Sequence, residues 1–340
     1  MTHIGVLTAG GDCPGLNAAI RGVVVRATAG GATVTGIEDG WQGLMGGEMR
    51  PLDRDAVRGI LTRGGTILGT SRTDPYVHGQ GLASIMPALE STGIDTLVVI
   101  GGDGSLRTAA RLANDGLAVV GVPKTIDNDI GQTDISFGFE TAVQIVTDAI
   151  DRITTTAEAH NRIMVVEVMG RQSGWIATHS GLAGGAEAIL VPEEDYDLEE
   201  LAERLIARHA AGRTYSVVVV AEGVPAPSGE KVLVGKDTTG FLRLGGVGNV
   251  IGPELERLTG YETRVTILGH LQRGGSPTAF DRVLATRFGI RAAEAALAGE
   301  HGMMVANRGT EMVLVPLTDA VSEPRSVTQA RLDEARWFCA

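Results

Sequence analysis

The chain has 340 residues, 48 of them glycine and 12 proline, with 43% hydrophobic and 21% charged residues and a net charge of −12. About twice the usual glycine without a three-residue period excludes a collagen-like rod, and the apolar fraction excludes a disordered chain, leaving about two globular domains rich in tight turns. A surface this acidic repels nucleic acid and anionic membrane, so an anionic ligand must be met by a local cluster of arginines. Lysine occurs only at 124, 231 and 236, and Cys13 and Cys339 lie too far apart to suggest a disulfide framework. With no apolar run of membrane-spanning length and a strand-like start in place of a leader, the chain reads as cytoplasmic.

Taken in chain order, short apolar runs at 4–7, 33–37, 96–100, 118–122, 163–168, 188–191, 216–221, 264–268 and 312–315 predict strands. Helical patterns fall between them at 16–29, 53–62, 106–114, 139–157, 198–210 and 278–298. Fully apolar strands alternating with helices are what a parallel sheet covered on both faces requires, so the fold class is α/β, doubly wound. The strands outnumber what one compact sheet usually holds, which favours two such domains.

The segment 8–17, TAGGDCPGLN, turns directly from strand into helix. Bare glycine amides at such a turn, reinforced by a helix N-terminus, suit a phosphate. GGDGS at 101–105 again follows a predicted strand, at the edge where parallel sheets hold ligands. Asp103 among its glycines offers a carboxylate to a hard cation, with a simple N-cap as the structural alternative. PKTIDND at 123–129 sets Asp127 and Asp129 two apart behind Lys124 and Thr125. In an extended stretch such side chains share a face, so that one carboxylate can act as base and the other serve a cation. A basic set lies against later strands: Arg162, Met169-Gly170-Arg171, Arg264 and GHLQRGG at 269–275, with Glu222 ending the strand at 216–221. In so acidic a chain it reads as the receptor of a second anion. Together these are the parts for phosphoryl transfer to a phosphorylated alcohol. Covalent catalysis is not indicated, since Ser173 and Ser180 lack a nucleophile elbow and Cys13 has no partner histidine in view.

The segments GGDCPGLNA (10–18), GTSR (69–72), GGDGS (101–105), PKTIDND (123–129), VVEVMGR (165–171), AEG (221–223) and RVTILGHLQRGGSP (264–277) stand in a familiar order and spacing. Over residues 1 to about 300 the sequence strongly resembles the bacterial-type 6-phosphofructokinases. The resemblance implies two similar Rossmann-like α/β domains with a cleft between them. Residues 1–138 and 251–305 would form the larger, donor-binding domain, 139–250 and 306–322 the smaller sugar-phosphate domain, and 323–340 a helical tail. It further implies a cytoplasmic homotetramer that takes Mg²⁺ and ATP and phosphorylates the 1-hydroxyl of fructose 6-phosphate. Asp127 would be the base, with Thr125, Arg171 and Lys124 near the transferring group. Asp103 and Asp129 would manage Mg²⁺. Gly11, Arg72, Gly102, Gly104 and Ser105 would line the donor phosphates, and Trp41 would flank the nucleoside. Fructose 6-phosphate would be held by Thr125, Asp127, Met169, Gly170, Arg171, Glu222, His270 and Arg273, with Arg162 and Arg264 reaching in from a neighbouring subunit.

The donor signature is mixed. Pyrophosphate users of the family look to carry Asp at the position of Gly104 and Lys at that of Lys124, whereas ATP users carry Gly at both. Gly104 leaves room for an α-phosphate, and Lys124 helps either donor, so the steric argument favours ATP. Arg21, Arg54, Glu187 and Arg213 could belong to an effector site, yet Val25, Thr154 and Ala211 stand where further basic residues would be expected. Two other readings share a glycine loop or the scaffold. A lipid or NAD kinase lacks the TIDND and GHLQRGG segments, and a non-catalytic sugar-phosphate sensor would not need Asp127 and Asp103.

Overall fold

The computed structural model describes residues 1–236 and 242–339. Its strands, in chain order, are β1 (His3–Ala9), β2 (Thr33–Ile37), β3 (Met49–Pro51), β4 (Thr96–Gly101), β5 (Val119–Thr125), β6 (Phe137–Gly138) and β7 (Ile163–Val168). There follow β8 (Ala188–Leu190), β9 (Ser216–Ala221), β10 (Leu233–Lys236), β11 (Leu242–Leu244), β12 (Thr263–Ile267), β13 (Met303–Arg308) and β14 (Glu311–Pro316). Two compact units result, Met1–Thr141 with Arg273–Pro324 and Ala142–Gln272 with Arg325–Ala340.

The first unit holds an eight-stranded sheet in the order β14-β13-β5-β4-β1-β2-β3, with β6 beside β5. Its centre is parallel, and antiparallel β3 and β14 close the two edges. From β1 the chain moves outward to β2, then returns to place β4 on the other side of β1. The strand order therefore reverses between β1 and β4, the point where crossovers lead to opposite faces and leave a crevice at the carboxyl ends. Helix Leu16–Ala29 packs against helix Ala279–Ala298. A Cβ on Gly22 would lie 2.6 Å from the Thr286 carbonyl oxygen, and one on Gly289 would lie 2.2 Å from that of Ala19. Glycine costs a helix interior roughly 0.5–1 kcal/mol relative to alanine, and here it is what lets the two backbones touch. The first helix is thereby fixed with its N-terminus at the end of β1.

The second unit holds a four-stranded parallel sheet, β12-β7-β9-β8, and the antiparallel hairpin β10-β11. β7 and β9 are buried along their whole length, which is why they read as apolar runs but for Glu167 and Ser216.

Several elements depart from expectation. Residues 53–62 form turns in place of a helix, because Asp53 accepts from Ala56 N at 2.8 Å and Gly59 takes φ 75, a left-handed conformation that ends a helix. The sequence pattern missed β13 and the helices Trp41–Gly46, Trp175–Ala183 and Gly248–Thr259. The expected domain limits also shift. β12, placed with the donor domain by sequence, pairs with β7 and belongs to the second unit. Conversely, 306–322 belongs to the first unit, because β14 folds back on β13. The helical tail is present as Gln329–Phe338, packed on helix Trp175–Ala183 of the second unit.

Candidate active site

In the first unit, parallel pairing sets Ala9 beside Gly101 and Gly101 beside Pro123. Three glycine- or lysine-bearing segments thus leave the sheet at one level, on adjacent strands, at the crevice where the order reverses. Gly10, at φ 83, follows β1, and its N–H donates to the Ser71 carbonyl at 2.8 Å while Thr70 Oγ1 donates to its carbonyl at 2.7 Å. These bonds bring the segment carrying Arg72 to the first loop. Lys124, 2% exposed, donates from Nζ to the carbonyls of Ala9, at 3.1 Å, and Gly11. Burial, only partly offset by neighbouring acids, pushes its ammonium down to about 8. Arg273 donates to the Asp12 carbonyl at 3.1 Å, and its guanidinium lies 2.8 Å from where a Gly11 Cβ would stand. Two cations therefore converge on the carbonyls of one glycine loop, an arrangement of charge suited to a phosphate.

Gly102 is the N-cap of helix Asp103–Asn114, so Asp103 sits in its first turn and is not the cap. Its two oxygens accept from Arg107 Nε at 3.0 and 3.1 Å, one turn along the helix. A Cβ on Gly104 would meet nothing within 4 Å, so the protein itself leaves that space open. A Cβ on Gly10 would lie 3.2 Å from Ser105 Oγ, which places that hydroxyl beside the first loop.

β5 ends at Thr125, and Asn128 adopts φ 54. Asp127 and Asp129 therefore do not share an extended stretch as the sequence suggested: a left-handed residue separates them, leaving Asp127 buried and Asp129 half-buried. Asparagine tolerates that conformation, and Asn128 Oδ1 accepts from Ser136 N at 3.0 Å while Ser136 Oγ donates to the Thr125 carbonyl at 2.9 Å. Asp127 N donates to Thr125 Oγ1 at 3.0 Å. Asp127 is 3% exposed and its Oδ1 is buried without a hydrogen-bond partner. A buried acceptor left open costs about 1–3 kcal/mol, which makes this oxygen a candidate acceptor for a ligand proton.

Cys13 also lies in the first loop, but burial pushes its thiol up to about 12, which makes it inert as a nucleophile at neutral pH.

In the second unit, Met169-Gly170-Arg171 follow β7, Glu222 follows β9, and His270 follows β12, so all leave the carboxyl edge of one sheet. Met169 N donates to Gln272 Oε1 at 3.2 Å, and Arg171 N donates to Glu222 Oε1 at 3.0 Å. Arg171 and His270 are exposed.

Arg162 and Arg264 are not part of that cluster. They stand at the opposite, amino-terminal ends of β7 and β12, where Glu262 bridges them. Arg162 donates to it at 2.7 and 3.0 Å, and Arg264 pairs with the same carboxylate. Strands of this length span roughly 17–20 Å, so within the second unit these two arginines serve another place than Met169 and Glu222. Trp41, expected beside a nucleoside, is 1% exposed and packed with Ile37 and Leu44 in the core, because its short helix turns it inward. Glu187, a candidate effector residue, is bound by Arg208 and accepts from Val217 N. Sequence reading missed Glu262 and Gln272, whose signal was only their place inside matched segments or next to one.

The sequence profile of the phosphofructokinase family matches residues 3–296. A pyrophosphate–fructose 6-phosphate 1-phosphotransferase of Amycolatopsis methanolica is 52% identical over 339 residues, 99% of each chain. ATP-dependent 6-phosphofructokinase 3 of Streptomyces coelicolor is also 52% identical, over 98% of each chain. Among solved structures, the phosphofructokinase of Saccharomyces cerevisiae superposes with a TM-score of 0.84 at 34% identity, covering 95% of this chain and 45% of the yeast chain. The chain belongs to the phosphofructokinase family.

Proposed function

We propose that this protein transfers the terminal phosphoryl group of ATP to the 1-hydroxyl of fructose 6-phosphate, giving fructose 1,6-bisphosphate and ADP. The observation that carries the reading is the Asp127 carboxylate, buried with one oxygen open on a backbone held by Asp127 N to Thr125 Oγ1 and Ser136 Oγ to the Thr125 carbonyl. Asp127 takes the hydroxyl proton as the new O–P bond forms. Lys124 and Arg171 draw charge off the transferring group, and Thr125 Oγ1, fixed by the Asp127 amide, holds its place beside the base. Gly11, Arg72, Gly102 and Ser105 line the donor phosphates, and Met169, Gly170, Glu222, His270 and Arg273 seat the sugar phosphate.

Mg²⁺ fits the donor set: Asp103 and Asp129 are hard oxygen ligands, and Mg²⁺ is typically held by one or two carboxylates plus substrate phosphates. In keeping with that mode, the described residues hold no cluster of three or more metal-binding side chains. Bound there, the ion would neutralise phosphate charge. Arg107, which donates to Asp103, would share that carboxylate with the ion.

ATP is favoured over pyrophosphate by the open space at Gly104. Relatives at about equal identity carry each donor in their names, so the support for ATP comes from the space beside Gly104. Arg162 and Arg264, at the far edge of their sheet, fit a site completed by a neighbouring subunit, in line with the homotetramer with shared active sites that the family resemblance implies. No helix among the described residues is long and apolar enough to cross a membrane, which supports a cytoplasmic enzyme. Steady-state assays with Mg-ATP and with pyrophosphate, side by side, test the donor: ATP is expected to turn over faster, and faster turnover with pyrophosphate overturns that choice.

A further inference from the structure

The turn that carries Met169, Gly170 and Arg171 is held in an unfavourable shape. Arg171 adopts φ 54, a left-handed conformation that a long side chain rarely takes, and Gly170 adopts φ 144. Ser173 N closes the turn on the Gly170 carbonyl at 2.9 Å. Such a conformation persists only where the surroundings over-determine it. On one side Glu222 holds Arg171 N, and the Arg171 carbonyl lies 2.0 Å from where a Gly223 Cβ would stand.

The other side is held by a residue with no assigned role. Gly174, the N-cap of helix Trp175–Ala183, has no side chain of its own to cap the helix. Its N–H donates to both oxygens of Glu193, at 3.0 Å each. Glu193 Oε1 also accepts from Val327 N, at 3.0 Å. Two residues earlier in that segment, the Arg325 carbonyl accepts from Trp175 Nε1 at 3.2 Å, and the Arg325 guanidinium lies 4.2 Å from the indole centre. The helix Gln329–Phe338 anchors this contact by burying Leu332 and Ala335 and pairing Arg336 with Glu194. The C-terminal segment thus meets the chain at Glu193 and Trp175, on either side of the residue that ends the turn.

We propose that Glu193, backed by the docked segment Arg325–Val327, is a positioning residue for the Met169–Gly174 turn, so that the C-terminal tail sets how well the acceptor sugar phosphate is seated. The proposal rests on the functional reading above, in which Met169, Gly170 and Arg171 face that substrate. If Glu193 or the tail is removed, the Gly174 amide and the Trp175 ring lose their anchors, and Arg171 relaxes toward ordinary backbone geometry. Small misplacements of this kind cost up to about a hundredfold, through the seating of the acceptor by Met169 and Gly170 and through turnover by way of Arg171.

The test compares Glu193→Ala, Glu193→Gln and a chain ending at Pro324 with the full-length enzyme, each first checked for folding by circular dichroism. Glu193→Ala and the shortened chain are expected to raise KM for fructose 6-phosphate about tenfold or more while KM for ATP stays within about twofold. Glu193→Gln, which keeps one acceptor oxygen, is expected to recover most of the loss. A KM for fructose 6-phosphate within about twofold of the full-length value in either folded variant overturns the proposal, as does an equal rise in both KM values. If Glu193→Ala does not fold, the shortened chain decides by the same criterion. Full-length enzyme that turns over no fructose 6-phosphate overturns the functional reading and this proposal with it, whereas normal turnover with unaffected variants overturns this proposal alone.

Discussion

The two units build the carboxyl edge of a parallel sheet, the edge proposed above to meet an anion, by different means. In the first, backbone sets the frame: glycine loops after β1 and β4 stand level because Ala9, Gly101 and Pro123 are in register. In the second, acidic side chains hold the backbone. Glu222 accepts from Arg171 N, Glu193 from Gly174 N and Val327 N, and Glu167 from Gly246 N and Gly248 N, both at 2.7 Å. A site made of local backbone is written in contiguous motifs. A site made of long-range carboxylate-to-amide bonds is assembled from residues that no motif joins.

The largest expected effect separates chemistry from binding. Asp127→Ser should lower turnover by roughly a thousandfold, while fructose 6-phosphate binding, measured by calorimetry, stays near normal. Turnover within about tenfold of wild type would remove Asp127 as the base.

A second experiment asks whether the arginines at the far edge of the second unit serve another copy. Arg264→Ala should raise KM for fructose 6-phosphate by about tenfold to a hundredfold, the worth of a charge-assisted hydrogen bond. Mixing it with Asp127→Ser, after dissociation and reassembly, should restore roughly a quarter of the sites, those with one intact residue from each chain. Mixtures no more active than either parent would place Arg264 in its own chain's site.

The glycine-built edge is tested at one position. Gly104→Asp should leave the melting temperature unchanged, since nothing lies within 4 Å of the new Cβ, yet raise KM for ATP by about tenfold or more through occupied space and repulsion. An unchanged KM for ATP would refute the steric argument.

The smallest effect is one of pH. Lys124 titrates near 8 in the folded chain and at 10.5 when exposed, so its charge is lost earlier in the fold. Activity and stability then move oppositely. kcat/KM for the donor should fall by a few-fold as pH rises through about 8. The unfolded chain binds more protons between about 8 and 10.5, so this group adds stability as pH rises through that window. Lys124→Ala should flatten both trends; an undiminished alkaline fall in kcat/KM would assign it to another group.

Residues 53–62 and the segment 127–129 show where sequence pattern misleads. The first has a helical spacing of apolar residues, but the Asp53 side chain and the left-handed Gly59 divert it into turns. The second reads as extended until Asn128 turns at φ 54 and sends its two carboxylates into different surroundings. In both, a single backbone conformation outweighs a pattern.

Most of the parallel strands, the helices at 16–29, 139–160 and 279–298, the glycine loops and the segment 123–129 were legible in the sequence alone, because apolar runs and glycine turns act over a few residues. Only the tertiary structure decided which strand belongs to which unit, since β12 and β14 are assigned by their partners. It also placed Arg162 and Arg264 at the end of their sheet opposite Met169 and Glu222, because position along a strand matters only once the strands are aligned. It also joined Glu193 to the tail 134 residues away, a contact made by hydrogen bonds that close only when the chain has folded.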